Sequence, residues 1–504
     1  MSIAETAPPT SGHLVHPDGR VTHKGLALVV VAISQLMVVL DATIVNVALP
    51  DIAKALHVTS NADLQWVVTA YTLTFGGFLL LGGKLADRLG RRAVFMGGAA
   101  LFAFASLLGG MAGSLGLLIA ARALQGIGGA LMSPAALSLL TVVFAEGRER
   151  DRALGIWASI TAGGAALGLI LGGLLTEYGS WRWVLFVNVP VAILAVLGAR
   201  RFVPESRDER AQGFDIPGAV LVTSGLMALV FALVKGNSYG WTSTRTLGML
   251  LLAAALLTAF VAVQRRAAAP LVPFRLFKSR TLLGADLGAL FVGAGLFAMF
   301  FFLILWMQVI NGYTPVKAGL LFLPMPITIV IGAGIASQLL GRIGPRVLLT
   351  VGPLLVALGL IILGLRLEPD TSYLTGVLPT LVLVAFGMGL TFVALTSSAV
   401  AGVPHEDAGI ASALLNAGQQ VGGSLGLAIL TAVSTTRTDH LVPGGQPQDP
   451  SGIPAYFSAL VDGWALGFLV GGALLIVAAL IMTSLVRVSK EQAARALKES
   501  GAAA

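Results

Sequence analysis

Fourteen apolar segments follow one another along this chain of 504 residues, and each is long enough to form a helix across a lipid bilayer. Only 11% of the residues are charged, against about 25% in an ordinary soluble domain, so the surface could not keep a soluble protein dissolved. The segments span residues 26–49, 65–83, 93–113, 115–143, 153–176, 183–201, 216–234, 246–264, 281–309, 317–340, 347–365, 375–401, 409–433 and 463–486. The sequence therefore predicts an all-α integral membrane protein with 14 transmembrane helices. The strands of a transmembrane barrel would instead alternate polar and apolar residues in runs of about 10.

Residue types that would indicate an enzyme are missing from the places where an enzyme would need them. The chain contains no cysteine, which excludes disulfides, thiol nucleophiles and iron–sulfur clusters. All six histidines lie in tails or loops, and the Gly-rich phosphate-binding sequence of ATP-driven proteins is absent. The longest loop, residues 434–462, is rich in Gly, Pro and Gln, which indicates a flexible outer loop. We therefore expect no enzyme activity, no metal site and no cofactor.

The distribution of basic residues predicts the orientation. If the N-terminus is cytoplasmic, the loops and tails on that side carry 24 Lys and Arg and the other loops carry 7, with Arg122 inside a segment. The positive-inside rule then places both termini in the cytoplasm. The net charge of +8 is spread over alternate loops without interleaved aromatic residues, so we expect no nucleic-acid partner. The first 25 residues lack the features of a signal peptide and are predicted to be a disordered tail.

Internal repeats suggest two similar halves. Residues 82–92 and 338–346 share Leu, Arg and Gly positions at a distance of 254 residues. Two ladders of glycines at four-residue spacing, which permit close helix packing, consist of Gly164, Gly168 and Gly172 and of Gly418, Gly422 and Gly426. The predicted division is a tail (1–25), a six-helix repeat (26–201), a cytoplasmic loop with two inserted helices (202–264), a second six-helix repeat (265–486) and a tail (487–504). Two such halves with a cavity at their interface are typical of transporters.

The strongest motif is a short charged loop after the second segment. It consists of Gly83, Leu85, Ala86, Asp87, Arg88, Gly90, Arg91 and Arg92. We expect a tight turn in which Asp87 pairs with a neighbouring Arg and faces the N-terminus of an adjacent helix. Such a pair can form in one conformation and break in another, which predicts a conformational switch; the alternative is an ordinary basic loop. The motif resembles the inside-loop signature of the major facilitator superfamily.

Two charged residues are predicted to lie inside the membrane at matching depth. Arg122, in the fourth segment, and Asp41, in the first, are both about 11–12 Å from the outer ends of their segments at 1.5 Å per residue. Intramembrane charges normally face one another or a wet cavity, so the two side chains can pair. The sequence favours a role in proton coupling over a purely structural ion pair. Arg122 with Gln125 and Gly126 resembles a second motif of the superfamily.

The run from Leu40 to Pro50, LDATIVNVALP, resembles the first-span signature of the fourteen-helix drug:proton antiporters. Trp181-Arg182-Trp183 with Asn188 and Pro190 resembles the start of span 6 in that family, and residues 311–324 resemble its loop before span 10. The fifth segment departs from the family pattern, because Leu169 stands where the antiporter motif has a proline. The resemblance implies an exporter, and this departure weakens the inference to the direction of transport.

Other polar and aromatic residues inside the segments are candidates for the cavity. Asp286 could be a second proton-linked carboxylate or could face a wet vestibule at the inner end of its segment. The remaining candidates for contact with substrate are Gln35, Asn416, Gln419, Gln420, Phe297 and Trp306. The amide side chains could instead bridge helices, and part of the aromatic stretch could face lipid.

These observations predict a proton-coupled secondary transporter of the bacterial cytoplasmic membrane. It would export lipophilic, cationic drugs or antibiotics by alternating access, because a carboxyl group in a cavity of low dielectric constant can hold a proton that a cationic substrate displaces. The coupling ion would be the proton and the partners would be the lipid bilayer and small lipophilic molecules, with the protein working as a monomer. Two alternatives stay open, an exporter dedicated to one natural product and a proton-coupled metabolite symporter.

Overall fold

The computed structural model describes residues 13–15, 21–145, 147–208, 213–401, 403–404, 407–443, 449–489 and 491–492. Most of both predicted tails and part of loop 434–462 lie outside these residues. The described helices are α1 (Lys24–Ala55), α2 (Asn61–Leu64), α3 (Trp66–Leu89), α4 (Arg91–Gly110), α5 (Leu115–Val143), α6 (Arg148–Tyr178), α7 (Trp183–Phe186), α8 (Asn188–Phe202), α9 (Ile216–Tyr239), α10 (Thr244–Arg266), α11 (Arg280–Leu305), α12 (Pro315–Phe322), α13 (Pro324–Ile343), α14 (Pro345–Arg366), α15 (Leu378–Ala401), α16 (Ala408–Leu441) and α17 (Ile453–Leu485).

Two short strands precede the first helix. Strands β1 (His13–Val15) and β2 (Val21–His23) pair antiparallel. They lie within the segment that the sequence predicts to be disordered, and a hydropathy pattern gives no signal for so short a pairing. The rest of the described chain is helical or forms connections between helices.

Within the described residues, twelve helical segments are long and apolar enough to cross a membrane. The protein is therefore a multi-pass membrane protein. The other two predicted segments, 153–176 and 409–433, lie in α6 and α16. These two long helices are less apolar, because α6 begins with a run of charged residues and α16 carries several amides and hydroxyls.

Sequence signals fix many helix ends. Ser114, Ser279 and Thr314 each precede a helix, and each side chain accepts a hydrogen bond from a backbone N–H of the first turn. Gly90 ends α3 with φ +121°, and Gly344 ends α13 with φ +82°. Only glycine adopts such angles without strain, and the two glycines occupy equivalent places in the two similar loops.

Helix contacts follow the same scheme in two sets of six helices. In the set before Val203, the packed pairs are α1 with α6 and α8, α5 with α3 and α4, and α4 with α8. In the set from Arg280 onwards, the corresponding pairs are α11 with α16 and α17, α15 with α13 and α14, and α14 with α17. We call these the first set and the second set. Helix α9 packs on α10, on α3 of the first set and on α16 of the second.

The two glycine ladders lie at corresponding contacts. The glycines of the α6 ladder pack on α1, and a Cβ at Gly172 would lie 2.9 Å from the carbonyl oxygen of Ile44. Those of α16 pack on α11, where a Cβ at Gly422 would overlap the carbonyl oxygen of Leu290 and one at Gly426 would overlap Ala294. Because lipid offers no hydrophobic drive for helices to associate, such close backbone contact is a main source of their cohesion.

The Gly422→Leu substitution should destabilise the protein by about 1–3 kcal/mol or more, because the new side chain has no room against α11. The check is the thermal unfolding midpoint of the purified protein in detergent, measured by size-exclusion fluorescence.

Gly334→Ala serves as the control. A Cβ at this exposed position of α13 meets nothing within 4 Å, and alanine is favoured over glycine in a helix by up to about 1 kcal/mol. An unchanged midpoint for Gly422→Leu would contradict the importance of this contact.

Candidate functional site

A buried ion pair lies at the centre of the first set. Arg122 of α5 donates through Nη1 to Oδ2 of Asp41 on α1 at 2.5 Å. Asp41 is 0% exposed and Arg122 is 1% exposed. A glycine beside the arginine, Gly126, lets α5 approach α3 so closely that a Cβ there would overlap the carbonyl oxygen of Tyr71. The structure thus brings together the two charges that the sequence places at equal depth.

Each charged group of the pair has several hydrogen-bond partners. Oδ1 of Asp41 accepts from Nε2 of Gln125 at 3.1 Å and from Nδ2 of Asn188 at 2.9 Å. Arg122 also donates to the carbonyl oxygen of Val67 and to Oε1 of Gln125, both at 3.0 Å. Buried charges are tolerated when they are paired and their remaining hydrogen-bonding capacity is used, as here. The hydrogen-bonding groups of the pair are therefore well supplied with partners in this arrangement.

Aromatic and hydroxyl groups complete the surroundings of the pair. The guanidinium of Arg122 lies 4.4 Å from the ring centre of Tyr71, a cation–π contact. Nε2 of Gln125 also donates to Ser106 Oγ at 2.7 Å. Five helices of the first set, α1, α3, α4, α5 and α8, hold the network together.

The surroundings of Asp41 in this arrangement differ from those that direct contact with a substrate would need. Coupling by direct contact with a cationic substrate requires the carboxylate to face a cavity, but in this arrangement Asp41 is sealed among helices of the first set. Asn188 is a partner to which the sequence assigned no role. Asn188 belongs to the motif that begins at Trp181. Its contact with Asp41 depends on how α8 is rotated about its own axis, and the spacing of apolar residues in the sequence does not determine that rotation.

Asp286 lies in a different environment, near the beginning of α11. Both of its carboxylate oxygens are buried, and neither has a hydrogen-bond partner among the described residues. On the facing helix α16, a Cβ at Gly418 would lie 3.4 Å from the carbonyl oxygen of Asp286. The carboxyl group does not face a wet vestibule in this arrangement, because water would then reach its oxygens.

The predicted amide side chains have contacts of different kinds, within one helix, within one set and between the two sets. Gln35 of α1 accepts from Ser133 Oγ at 3.3 Å, and the exposed Asn416 donates to the carbonyl of Ser412, one turn earlier on its own helix. The side chain of Gln420 packs against Gly76 of α3, and its buried Oε1 has no partner within the described part of the chain.

The contact between α3 and α16 also contains a direct hydrogen bond between the two sets. Thr72 and Ser424 are joined through their hydroxyls at 2.6 Å. The half-buried Gln419 lies on the same helix, and its carbonyl oxygen meets Gly293 of α11. Helix α16 therefore contacts α3 through the Ser424 hydroxyl and α11 through the backbone of Gln419.

The aromatic candidates are more buried than the sequence suggests. Trp306 is 0% exposed in this arrangement, and its Nε1 donates to the carbonyl oxygen of Glu368 at 3.1 Å. Phe297 packs against Gly423. Phe301 and Phe302 are also buried and do not face lipid, because α11 is surrounded by α15, α16 and α17.

The charged loop after α3 contains the expected ion pair of Asp87 with a neighbouring Arg, but Asp87 does not cap the next helix. Asp87 pairs with Arg91 one turn on, with an N–O distance of 2.9 Å. The first turn of α4 is not capped by Asp87: the backbone N–H groups of Arg92 and Ala93 donate to the carboxylate of Glu205 at 3.0 and 3.2 Å. The sequence does not predict the contact of Glu205 with α4, because Glu205 follows α8 and lies more than 100 residues after the start of α4.

Other residues of the loop motif also have partners. Arg88 lies over the ring of Phe214 at 5.3 Å, and Arg92 donates to the carbonyl of Val203 at 3.1 Å. A Cβ at Gly83 would be in ordinary contact with Pro134. The loop is therefore attached to the connection that leads from α8 to α9.

Contacts between the two sets lie at mid-bundle and at the end where α6 ends and α12 begins, which we call the far end. There Gln308 Nε2 donates to the carbonyl of Val47, and the backbone N–H of Val316 donates to the Glu177 carboxylate, both at 2.9 Å. The backbone of Leu169 meets Gly319 at the same place. The position where the antiporter motif has proline is therefore part of the contact between the sets.

Removing the Asn188 amide should test the network around Asp41. Asn188→Ala should lower the stability by about 1.5–3 kcal/mol, because a buried hydrogen bond to a charged group is lost. Asn46→Ala is the matched control, since the Asn46 amide bonds the carbonyl of Ala42 on its own helix. Equal thermal unfolding midpoints for the two variants in detergent would show that the contact with Asp41 contributes nothing.

Comparison with known proteins gives a consistent result. The family model described as the Major Facilitator Superfamily matches residues 31–427. The puromycin resistance protein pur8 of Streptomyces alboniger is 43% identical over 490 residues, which is 97% of this chain and 95% of that protein. The cephamycin export protein CmcT of Amycolatopsis lactamdurans is 42% identical over 82% of this chain and 85% of its own length. The tetracenomycin C resistance and export protein of Streptomyces glaucescens is 36% identical over 82% of this chain and 77% of its own length.

Solved structures of other transporters have the same fold. A bacterial homologue of the human lysosomal transporter Spinster, in an inward-facing and unoccupied conformation, superposes with a TM-score of 0.65 at 18% identity, covering 95% of this chain and 98% of that one. The xylose transporter XylE from E. coli gives a TM-score of 0.60 at 13% identity, covering 93% and 100%. At such identities the similarity concerns the fold alone.

Proposed function

This chain belongs to the major facilitator superfamily, and from that premise we propose that it exports lipophilic, cationic drugs or antibiotics across the cytoplasmic membrane in exchange for protons. It is a multi-pass membrane transporter and not an enzyme. The observation that carries the proposal is the similarity over at least 82% of the chain to proteins named for antibiotic resistance and export.

The membrane arrangement that fits this function has 14 spans with both termini in the cytoplasm. The positions of α6 and α16 support the count, since each packs against a central helix, α1 or α11, as a full member of its set. The excess of Lys and Arg in alternate loops supports the orientation. The repeated contacts of the two sets support repeats at 26–201 and 265–486, with 202–264 inserted between them.

With the termini in the cytoplasm, the far end of the bundle is the outer end. The contacts of Glu177 with Val316 and of Gln308 with Val47 then close the outer side. Alternating access requires these contacts to break when the substrate is released outside. The charged loop formed by residues 83–92 lies on the cytoplasmic side in this orientation, and its Asp87–Arg91 pair is the candidate switch there.

Proton coupling is assigned to Asp41, Arg122 and Asp286, the charged groups inside the bundle. Protonating Asp41 would remove its attraction for Arg122, and the five helices of that network would rearrange. The substrate path is assigned to Gln35, Asn416, Gln419, Gln420, Trp306 and Phe297. Protons are the coupling ion, no cofactor takes part, and the functional unit is a monomer in the lipid bilayer.

A dedicated exporter of one natural product is the second candidate. The names of the relatives favour it, because puromycin, cephamycin and tetracenomycin C are single compounds. A metabolite symporter is the weaker alternative, since the interior carries few polar groups for a hydrophilic substrate. A panel of candidate compounds added to inverted vesicles, with proton movement as the readout, separates the three.

Substitutions in the ion pair should abolish coupled transport. Asp41→Asn keeps the shape and removes the charge, so inverted vesicles should lose substrate-driven proton movement. Arg122→Ala should do the same and also destabilise the protein by about 3–5 kcal/mol, because it leaves a buried carboxylate unpaired. Arg122→Lys should rescue transport in part, since lysine restores the charge but not the planar donors.

Arg437→Ala is the control for these variants. Arg437 forms an ion pair with Asp462 in which both side chains are about half exposed, and such surface pairs contribute about 0–1 kcal/mol. Its transport rate should match that of the unsubstituted protein. Normal proton exchange by the Asp41→Asn variant would refute the coupling role of this residue.

A further inference from the structure

The connection between α10 and α11 carries positive charge that the protein does not balance. Residues 265–280 contain five basic residues and no acidic one. Two arginines of the charged loop after α3 are, by contrast, paired with carboxylates. In the α10–α11 connection Arg275 is paired in this way. The other four basic side chains are exposed and have no hydrogen-bond or ion-pair partner within the described part of the chain: Arg265, Arg266, Lys278 and Arg280.

Two of these four cations line a groove beside the end of α10. The groove has a volume of about 380 Å³ and is lined by Arg265, Lys278, Val261, Phe274 and Phe277. One wall is the last turns of α10, and the other is a short 3-10 helix that contains both phenylalanines. Phe274 is 38% exposed. The groove therefore places two unpartnered cations next to accessible apolar and aromatic surface.

The carboxylates of the surrounding elements do not neutralise the groove. Both oxygens of Asp215 accept hydrogen bonds, one from the first turn of α9 and one from Gln264. Asp407 is held by a double hydrogen bond from Arg275. Asp286 of α11 is buried, and its oxygens have no hydrogen-bond partner among the described residues. The groove thus keeps a positive charge that a ligand has to balance.

The side of α10 that leads down to the groove is apolar and little covered by protein. Helix α10 packs chiefly on α9, and Leu251 is 72% exposed. Arg265 follows Leu251 by two heptads, so the two residues share one face of the helix, and no charged residue lies between them. The helix rises about 21 Å over this distance, more than the roughly 15 Å of hydrocarbon in one leaflet. An acyl chain lying on this face would end at Arg265.

We propose that this groove binds the headgroup of an anionic phospholipid, whose acyl chains lie along the exposed face of α10. Arg265 and Lys278 donate to the phosphate, and the rings of Phe274 and Phe277 lie against the first part of the chains. Basic pockets beside transmembrane helices on the cytoplasmic side suit acidic headgroups, and α10 ends on that side in the proposed orientation. The inference goes beyond the proposed function, because it does not depend on which compound is transported.

The connection that forms the groove is attached to both sets of helices. Lys84 of α3 donates to the carbonyl oxygens of Ala269 and Pro270, and Arg275 pairs with Asp407, which precedes α16. A ligand that binds the folded protein and not the unfolded chain stabilises the fold by mass action. Anionic lipid in the groove should therefore also raise the thermal unfolding midpoint.

The test measures binding of dioleoyl phosphatidylglycerol and dioleoyl phosphatidylcholine to the purified full-length protein by native mass spectrometry. The unsubstituted protein should bind the first phosphatidylglycerol about 25-fold more tightly than the first phosphatidylcholine, since each of the two cations contributes about fivefold. The double variant Arg265→Gln and Lys278→Gln should bind the two lipids with equal affinity.

A second double variant, Arg200→Gln and Arg342→Gln, is the matched control. Both arginines are exposed, lie outside the groove and end helices on the same side of the membrane in the proposed orientation. This variant loses the same charge and should keep the preference for phosphatidylglycerol. If it loses the preference as fully as the groove variant does, the attraction comes from the net charge of the protein and the proposal is overturned.

Glycerophosphoglycerol, which is the headgroup without its chains, distinguishes a lipid site from a site for free anions. At millimolar concentration it should leave bound phosphatidylglycerol in place. Displacement of the lipid would show that the chains contribute nothing, and would overturn the assignment to a lipid.

Thermal unfolding in detergent gives a second measurement on the same proteins. Phosphatidylglycerol should raise the unfolding midpoint of the unsubstituted protein and of the control variant, but not that of the groove variant. An equal rise in all three would contradict the proposal. None of these results bears on drug export, which the inverted-vesicle assay tests separately.

Discussion

Close backbone contact between helices is the constraint on which the rest of this structure depends. Lipid offers no hydrophobic drive for helix association, so the helices adhere through packing and a few polar contacts. The glycines of α6 and α16 let these helices touch the backbones of α1 and α11. Those contacts in turn position Asp41 on α1 and Asp286 on α11. The chemistry of both carboxylates therefore follows from where small residues allow helices to meet.

The two carboxylates inside the bundle have different surroundings. Asp41 is held by amide donors and by the guanidinium of Arg122, and these contacts join five helices at its side chain. Asp286 has no hydrogen-bond partner for either carboxylate oxygen among the described residues. Both side chains are enclosed, so the difference between them comes from their partners and not from their burial.

The sequence predicted the helices well because a span of the bilayer needs about 20 apolar residues, and such runs are visible without any tertiary information. The pairing of Asp41 with Arg122 was also predictable, since depth along a helix follows directly from residue number. The bond from Asn188 to Asp41, the burial of Trp306 and the cap supplied by Glu205 were not. Each of these depends on the rotation of one helix about its axis relative to another, and a nearly uniform apolar sequence carries little information about rotation.

Two glutamates accept hydrogen bonds from backbone N–H groups at the starts of helices, and the two contacts have different roles in the proposed transport cycle. Glu205 lies directly after α8 and accepts from backbone N–H groups at the start of α4, so the contact joins two parts of the chain on the side of the first set and can persist while the two sets move as units. Glu177 accepts from Val316 at the start of α12, and its partner lies across the boundary between the sets. Under the proposed alternating access, the second contact must break in every transport cycle and the first need not. A single exposed hydrogen bond to an ionised side chain is strong enough to favour the closed state and weak enough for the two sets to separate.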